Sequence, residues 1–205
     1  MNRLTWYAVA GALALLNAAC CAGLPARQNG LASSAAVPDR QIQSGPALQG
    51  LRGLLEQRLA LMPDVAWHKW RNGEKIDDPA REGIIVARFV AQAQALGLPA
   101  PWAQRFVQAQ IEAAKIIQRE SFAAWSRAGA APAGEPPDLR TQIRPRLDAL
   151  ELPLLQALAA AWPVLTDPAR HAQVAAVMGG MHGPAVSGAA AACALAPLMA
   201  ASTAP

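Results

Sequence analysis

A chain of 205 residues that is 53% hydrophobic but only 5% aromatic holds enough apolar material for one domain with a sizeable core. Ala and Leu dominate while Val, Ile and Thr are too sparse for a sheet, so the composition predicts an all-α fold. The formal net charge of +4 comes almost wholly from arginines scattered singly among acids and Ala; no basic run tracks a phosphate backbone, which excludes nucleic acid as a partner.

The start, Met1-Asn2-Arg3 and then the apolar run Leu4 to Ala22, has the layout of a cleavable secretory signal: an early positive charge, a short apolar stretch, then small residues. It predicts an exported protein, periplasmic or secreted, with no stable membrane insertion after cleavage. Cleavage is expected between Ala19 and Gly23. Cys20 and Cys21 sit at that point and leave a lipid attachment open, although Asn17 is a poor residue three places before Cys20. Only Cys193 lies in the body of the chain, so processing that removes the other two leaves no intrachain disulfide. Residues 1 to 22 are therefore read as signal, 23 to 45 as a flexible leader rich in Gly, Pro, Ser, Gln and Ala, and 46 to 200 as the folded domain.

The first helix is expected after Ser44-Gly45-Pro46, where Leu48, Leu51, Leu55, Leu59 and Met62 recur at three- and four-residue steps. Pro63 should kink it, and Asn72-Gly73 should end it. Asp78-Pro79 is a strong helix start, with a capping carboxylate before a proline at the first helical position. The helix that follows carries Ile84, Ile85, Phe89, Val90 and Leu96 up to Gly97 and Pro99. Pro101-Trp102 opens a third helix through Phe106, Val107, Ile111, Ile117, Phe122 and Trp125, with Gln110, Ala114 and Gln118 on one line at four-residue steps. Residues 129 to 137 form a loop. A fourth helix is expected from about Asp138 to Trp162, bent or divided by Pro145 and Pro153. Asp167-Pro168 opens a last helix to about Met178, followed by a glycine break and an Ala-rich tail that ends loosely. The whole reads as about six helices in one domain.

Several chemistries are missing. No Gly-rich phosphate loop follows a strand, no Gly-x-Ser-x-Gly elbow occurs, and His68, His171 and His182 have no metal-ligand spacing among themselves or with cysteine. What remains is a set of cations on apolar helices: Arg58, Lys69 and Arg81. Arg58 and Lys69 are eleven residues apart, which on one continuous helix returns to nearly the same face about 16 Å along the axis. Trp67 and Trp70 flank the lysine, and apolar surroundings strengthen any charge contact made there. Isolated arginines in an apolar chain suit bidentate carboxylate recognition, so the pattern points to a receptor for a small anion with more than one carboxylate.

The ordered segments Arg58-Leu59-Ala60-Leu61-Met62, His68-Lys69-Trp70-Arg71-Asn72-Gly73, Ile76-Asp77-Asp78-Pro79-Ala80-Arg81-Glu82, Gln110-Ile111-Glu112-Ala113-Ala114-Lys115 with Gln118, and Pro137-Asp138-Leu139 resemble the exported, gamma-class helical chorismate mutases over roughly residues 48 to 165. The resemblance implies an all-helical domain that converts chorismate to prephenate by a pericyclic rearrangement, without a cofactor or a covalent intermediate. It implies that Arg58 and Arg81 grip substrate carboxylates and that Lys69 reaches a carboxylate and the ether oxygen together. Gln118 would donate to the same oxygen from the opposite side, and Glu82 would accept from the ring hydroxyl, with Asp78 and its turn shaping that edge. The partner is thus a small molecule, chorismate; the sequence leaves a homodimer open.

Two positions depart from the pattern. Relatives tend to carry a hydroxyl residue at the position of Ala114, and the arginine expected in the fourth helix falls at about Pro153, with Arg146 two turns earlier as its replacement. A catalytically weakened helical protein that binds small dicarboxylates is therefore the alternative reading. A structural or membrane-associated helical protein, the third, requires an exposed apolar face on residues 185 to 200.

Overall fold

The computed structural model describes the backbone of residues 38 to 203. The signal layout, Cys20 and Cys21, and residues 23 to 37 of the expected leader lie outside the described residues. Seven α-helices account for most of what is described: α1 (Pro38–Ala60), α2 (Met62–Arg71), α3 (Pro79–Ala95), α4 (Ala100–Ala128), α5 (Arg144–Leu165), α6 (His171–Met178) and α7 (Gly188–Met199). Among the described residues there is no β-strand, only an isolated bridge between Gly183 and Val186, so the all-α reading stands.

Helix α1 begins at Pro38, eight residues before the expected start, and carries Pro46 inside it. Its apolar stripe is as the periodicity requires: Leu48, Leu51, Leu55 and Leu59 are all fully buried. The expected interruption before Pro63 falls at Leu61, a single turn residue with φ −82° and ψ −11°. Proline has no N–H to offer the carbonyl of residue 59, so one helix ends at Ala60 and α2 restarts with Pro63 in its first turn. Arg58 and Lys69 therefore belong to different helices, and a single helix face does not relate them. Asn72 closes α2, and Gly73 follows with φ 63°, a left-handed conformation that glycine adopts without a Cβ penalty.

Helix α3 starts as its sequence dictates. Asp78 Oδ1 accepts the Arg81 N–H at 3.1 Å, and Glu82 Oε1 accepts the Asp78 N–H at 3.1 Å, so the two carboxylates cap the helix reciprocally. Helix α4 is the spine. Its 29 residues span about 43 Å at the α-helical rise, and it buries Trp102, Phe106, Val107, Gln110, Ala113, Ala114, Ile117 and Gln118 along one side. After the 129–138 loop, Asp138 accepts from the N–H groups of Arg140 and Thr141 and from the Thr141 hydroxyl. One wide π-type turn over Leu139–Ile143 then leads into α5. Pro145 sits in the first turn of α5 and Pro153 inside it, and neither divides the helix.

The Ala-rich tail is not loose. Ser187 caps α7, whose small buried face (Ala190, Ala194, Leu195, Leu198) packs along α4. Helix α4 holds it there by side-chain hydrogen bonds to its carbonyls, from Trp102 Nε1 to Pro197 at 3.0 Å and from Gln110 Nε2 to Ala194 at 2.8 Å. Alanine every few residues permits the close approach that a sequence reader takes for low complexity. Burial of that face removes the apolar surface on which the structural or membrane reading depended. Among the described residues no single helix is long and apolar enough to cross a membrane.

Candidate active site

A cavity of about 200 Å³ lies among the end of α1, α2, the 72–78 strap, α3, α4, the π-type turn and α5. All seven residues named from the sequence line it: Arg58, Lys69, Asp78, Arg81, Glu82, Ala114 and Gln118. Lys69, in the last turn of α2, meets the strap at Ile76, while Arg58, in the last turn of α1, meets α4 at Gln110.

The arginine of Arg58 donates through Nη1 to the Gln110 main-chain carbonyl at 3.1 Å. Burial lowers its pKa to about 10, with the charge of Glu151 acting in the opposite direction. Lys69 Nζ donates to the Ile76 carbonyl in the strap at 2.7 Å. Burial also pushes this ammonium below the ordinary lysine range, opposed by the carboxylates of Asp78, Glu74, Glu82 and Asp77. Each cation hydrogen-bonds a main-chain carbonyl, and neither has a carboxylate within ion-pair distance among the described residues. The apolar surroundings come from Met62, Val65, Ile76, Ile85 and Phe89. Trp67 and Trp70 do not line the cavity; Trp70 packs edge-on against Phe122 and Trp125 of α4, with ring centroids 5.0 and 5.8 Å away.

Gln118 is 5% exposed, and its Nε2 donates one N–H to the Ala114 carbonyl at 3.2 Å. A primary amide has a second N–H to give. Ala114, one turn before it on α4, presents only a methyl group, so no hydroxyl donor stands at that point of the lining.

Three further charged lining residues, Arg88, Lys115 and Arg144, are not among the site residues expected from the sequence. Arg88 of α3 pairs with Glu151 at 2.6 Å and Asp148 at 3.3 Å on α5. Its position seven residues after Arg81, on the same helix face, was the available signal. Lys115 pairs with Glu82 and Asp77, both at 3.1 Å. Arg144, at the start of α5, lines the cavity and has no carboxylate partner among the described residues. Arg146, the expected replacement for the arginine missing at Pro153, is exposed and outside the lining, as is Pro153 itself. A helix turn of two residues moves a side chain by about 200°, which separates Arg144 from Arg146.

Seven cationic side chains and five carboxylates line the cavity. Arg88 and Lys115 are neutralised by contacting carboxylates, whereas Arg58, Lys69, Lys75, Arg81 and Arg144 have none within ion-pair distance among the described residues. The surplus is positive and partly desolvated, which suits a small polyanion.

The family model for chorismate mutase type II matches residues 50–119. A solved chorismate mutase from Burkholderia thailandensis is 36% identical and superposes with a TM-score of 0.68, covering 74% of this chain and 98% of that one. A secreted chorismate mutase from Mycolicibacterium smegmatis is 32% identical over 112 residues, 55% of this chain and 61% of that protein. A secreted chorismate mutase from Yersinia pestis is 39% identical over 72 residues, 35% of this chain and 39% of that protein. The chain thus spans about three fifths, or less, of the curated relatives it matches, and nearly the whole of the solved one.

Proposed function

The chain belongs to the type II chorismate mutases, and from that membership we propose that it is an exported isomerase that converts chorismate to prephenate within a single chain. The observation that carries this reading is the cavity itself. Five cations without a contacting carboxylate among the described residues and the buried amide donor of Gln118 line one space that also holds apolar side chains and the paired carboxylates of α3 and α5.

The reaction breaks the ether C–O bond while a C–C bond forms elsewhere in the same molecule, so nothing has to be transferred to or from the protein. The barrier falls by holding the compact, chair-like conformer and by stabilising negative charge that develops on the ether oxygen. Arg58 and Arg81 hold carboxylates, and Arg144 supplies the carboxylate contact from the α5 side. Lys69 leaves the Ile76 carbonyl to donate to a carboxylate and the ether oxygen. Gln118 gives its second N–H to that oxygen from the opposite side. Glu82 accepts from the ring hydroxyl, with Asp78 and its turn shaping that edge. Desolvation of Arg58 and Lys69 supports these roles, because charge contacts strengthen as the local dielectric falls.

Export is supported by the N-terminal layout and by relatives named as secreted. The decisive test is chorismate disappearance by ultraviolet absorbance in the mature protein beside Lys69→Ala. Saturable formation of prephenate, lost in the variant, is the expected result. A folded, helical protein that takes up a transition-state mimic but turns nothing over would replace this reading with that of a dicarboxylate-binding protein.

A further inference from the structure

Lys115 has no part in the chemistry above, yet it is the most heavily paired cation at the cavity. Its Nζ lies 3.1 Å from Asp77, 3.1 Å from Glu82 and 3.5 Å from Glu112, with 15% of the side chain exposed. Burial acts to lower its pKa, but the hydrogen bonds to Asp77 and Glu82 and the charges of Glu82 and Glu112 hold it above the ordinary lysine value. The other oxygen of Glu82 accepts the Asp78 N–H, and Asp78 accepts the Arg81 N–H. One amine therefore ties the first turn of α3 to α4, three residues before Gln118.

We propose that Lys115 is a positioning residue, which acts through Glu82 and sets the distance between the hydroxyl acceptor and the Gln118 donor. This rests on the roles assigned to Glu82 and Gln118 under Proposed function. Without the ammonium, Arg119 still holds Glu112 at 2.7 Å and Asp77 at 3.7 Å, so Glu82 is the carboxylate left without a cation among the described residues, and it turns toward solvent. The ring hydroxyl is not a reacting group and keeps its charge through the rearrangement. Glu82 accordingly binds ground state and transition state alike, and its displacement raises KM while sparing kcat. A residue that served only the fold would lower the melting temperature without that split.

Chorismate kinetics on Lys115→Met, Lys115→Arg, Glu82→Gln and the Lys115→Met/Glu82→Gln double variant test the assignment, with Lys115→Gln held in reserve should methionine prevent folding. Lys115→Met is expected to raise KM about tenfold with kcat within about threefold of the parent, and Lys115→Arg to recover most of the loss. In the Glu82→Gln background the methionine should add nothing further, because both lesions remove the same contact. An unchanged KM, a loss confined to kcat, or an equal effect in both backgrounds overturns the proposal. The same cycle titrated calorimetrically with a non-reacting bicyclic dicarboxylate that carries the ring hydroxyl reads the coupling as Kd. A parent that binds this mimic without forming prephenate sinks the reaction and leaves the Lys115 coupling measured; a parent that binds neither compound overturns both.

Discussion

Arg58 and Gln110 link three helices at the cavity. The guanidinium of Arg58, in the last turn of α1, donates to the Gln110 main-chain carbonyl at 3.1 Å, and the Gln110 side chain donates to Ala194 on α7 at 2.8 Å. Gln110 is 2% exposed and its Oε1 has no hydrogen-bond partner among the described residues. Helix α7 is thereby connected to a cavity-lining arginine through the backbone and side chain of a single residue. Packing on α7 should consequently matter to the stability of the whole domain. Leu198, 1% exposed, is the test: Leu198→Ala should cost about 2–4 kcal/mol by the usual transfer and cavity terms. Chemical denaturation checks it, and a cost near zero would mean that α7 is a detachable tail.

Lys69→Ala should lower kcat by roughly 100- to 1,000-fold, the typical effect of removing one donor to a developing oxyanion. Among the described residues the Lys69 ammonium hydrogen-bonds only the Ile76 carbonyl, so the melting temperature should move by no more than a few degrees. Lys69 must be protonated to donate, and its pKa is lowered by burial. Activity is therefore expected to be full below that pKa and to fall as pH rises through it, at a lower pH than an ordinary lysine would set. Stability responds in the opposite direction. A cation whose folded-state pKa is depressed binds its proton more weakly in the folded state, so its penalty is present at neutral pH and relieved in alkali. A kcat profile flat to pH 11 would count against Lys69 as the donor.

The fold was legible where local rules decide. Asp78-Pro79 announced α3, and the Leu48 to Leu59 stripe announced α1, because capping and periodicity are properties of short segments. The eleven-residue spacing of Arg58 and Lys69 is an approximate guide, since it keeps one face only on an unbroken helix and this one is interrupted at Leu61; both side chains line the same cavity. The α7 helix was read as a loose tail because an alanine face carries little amphipathic contrast, and its partner on α4 lies more than eighty residues away. Arg146 is the choice that its two-turn spacing from Pro153 suggests, but both lie on an exposed face of α5 that points away from the cavity, while Arg144 lines it. The residues supplied by the family resemblance converge on one cavity; the ion-pair neutralisation of Arg88 and Lys115 depends on tertiary contacts that no spacing encodes.

Arg144 and Arg146 separate cleanly. Arg144 lines the cavity without a carboxylate partner, whereas Arg146 is exposed outside it. Arg144→Ala should raise KM about tenfold, the loss of one charge-assisted carboxylate contact. Arg146→Ala should leave both kinetic constants unchanged. Steady-state chorismate kinetics on the two variants decide the matter, and the reverse pattern would return the α5-side contact to Arg146.

Gln118 predicts a pH profile. An amide donates at every pH, whereas a carboxyl group donates only when protonated. The parent kcat should therefore not rise between pH 7.5 and pH 5. Gln118→Glu, placed in a position only 5% exposed, should become an enzyme whose rate climbs as pH falls, because the acid must hold its proton to donate. A parent rate rising steeply toward acid would remove Gln118 from the ether oxygen.

Ala114→Ser restores a hydroxyl to the cavity lining, and its outcome depends on a competition at one carbonyl. A serine in a helix can donate back to the carbonyl four residues earlier, which here is that of Gln110, already the acceptor for Arg58. If the hydroxyl turns instead to the ligand, it adds a neutral donor to a carboxylate. A hydrogen bond to a charged group contributes about 1.5–3 kcal/mol, so KM should fall by about tenfold or more with kcat little changed. The expectation is the second outcome, because Arg58 occupies the carbonyl and a substrate carboxylate is the stronger acceptor. An increase in KM would show the serine displacing Arg58 from Gln110, and the Arg58–Gln110 contact would then be identified as part of what holds the carboxylate subsite in shape.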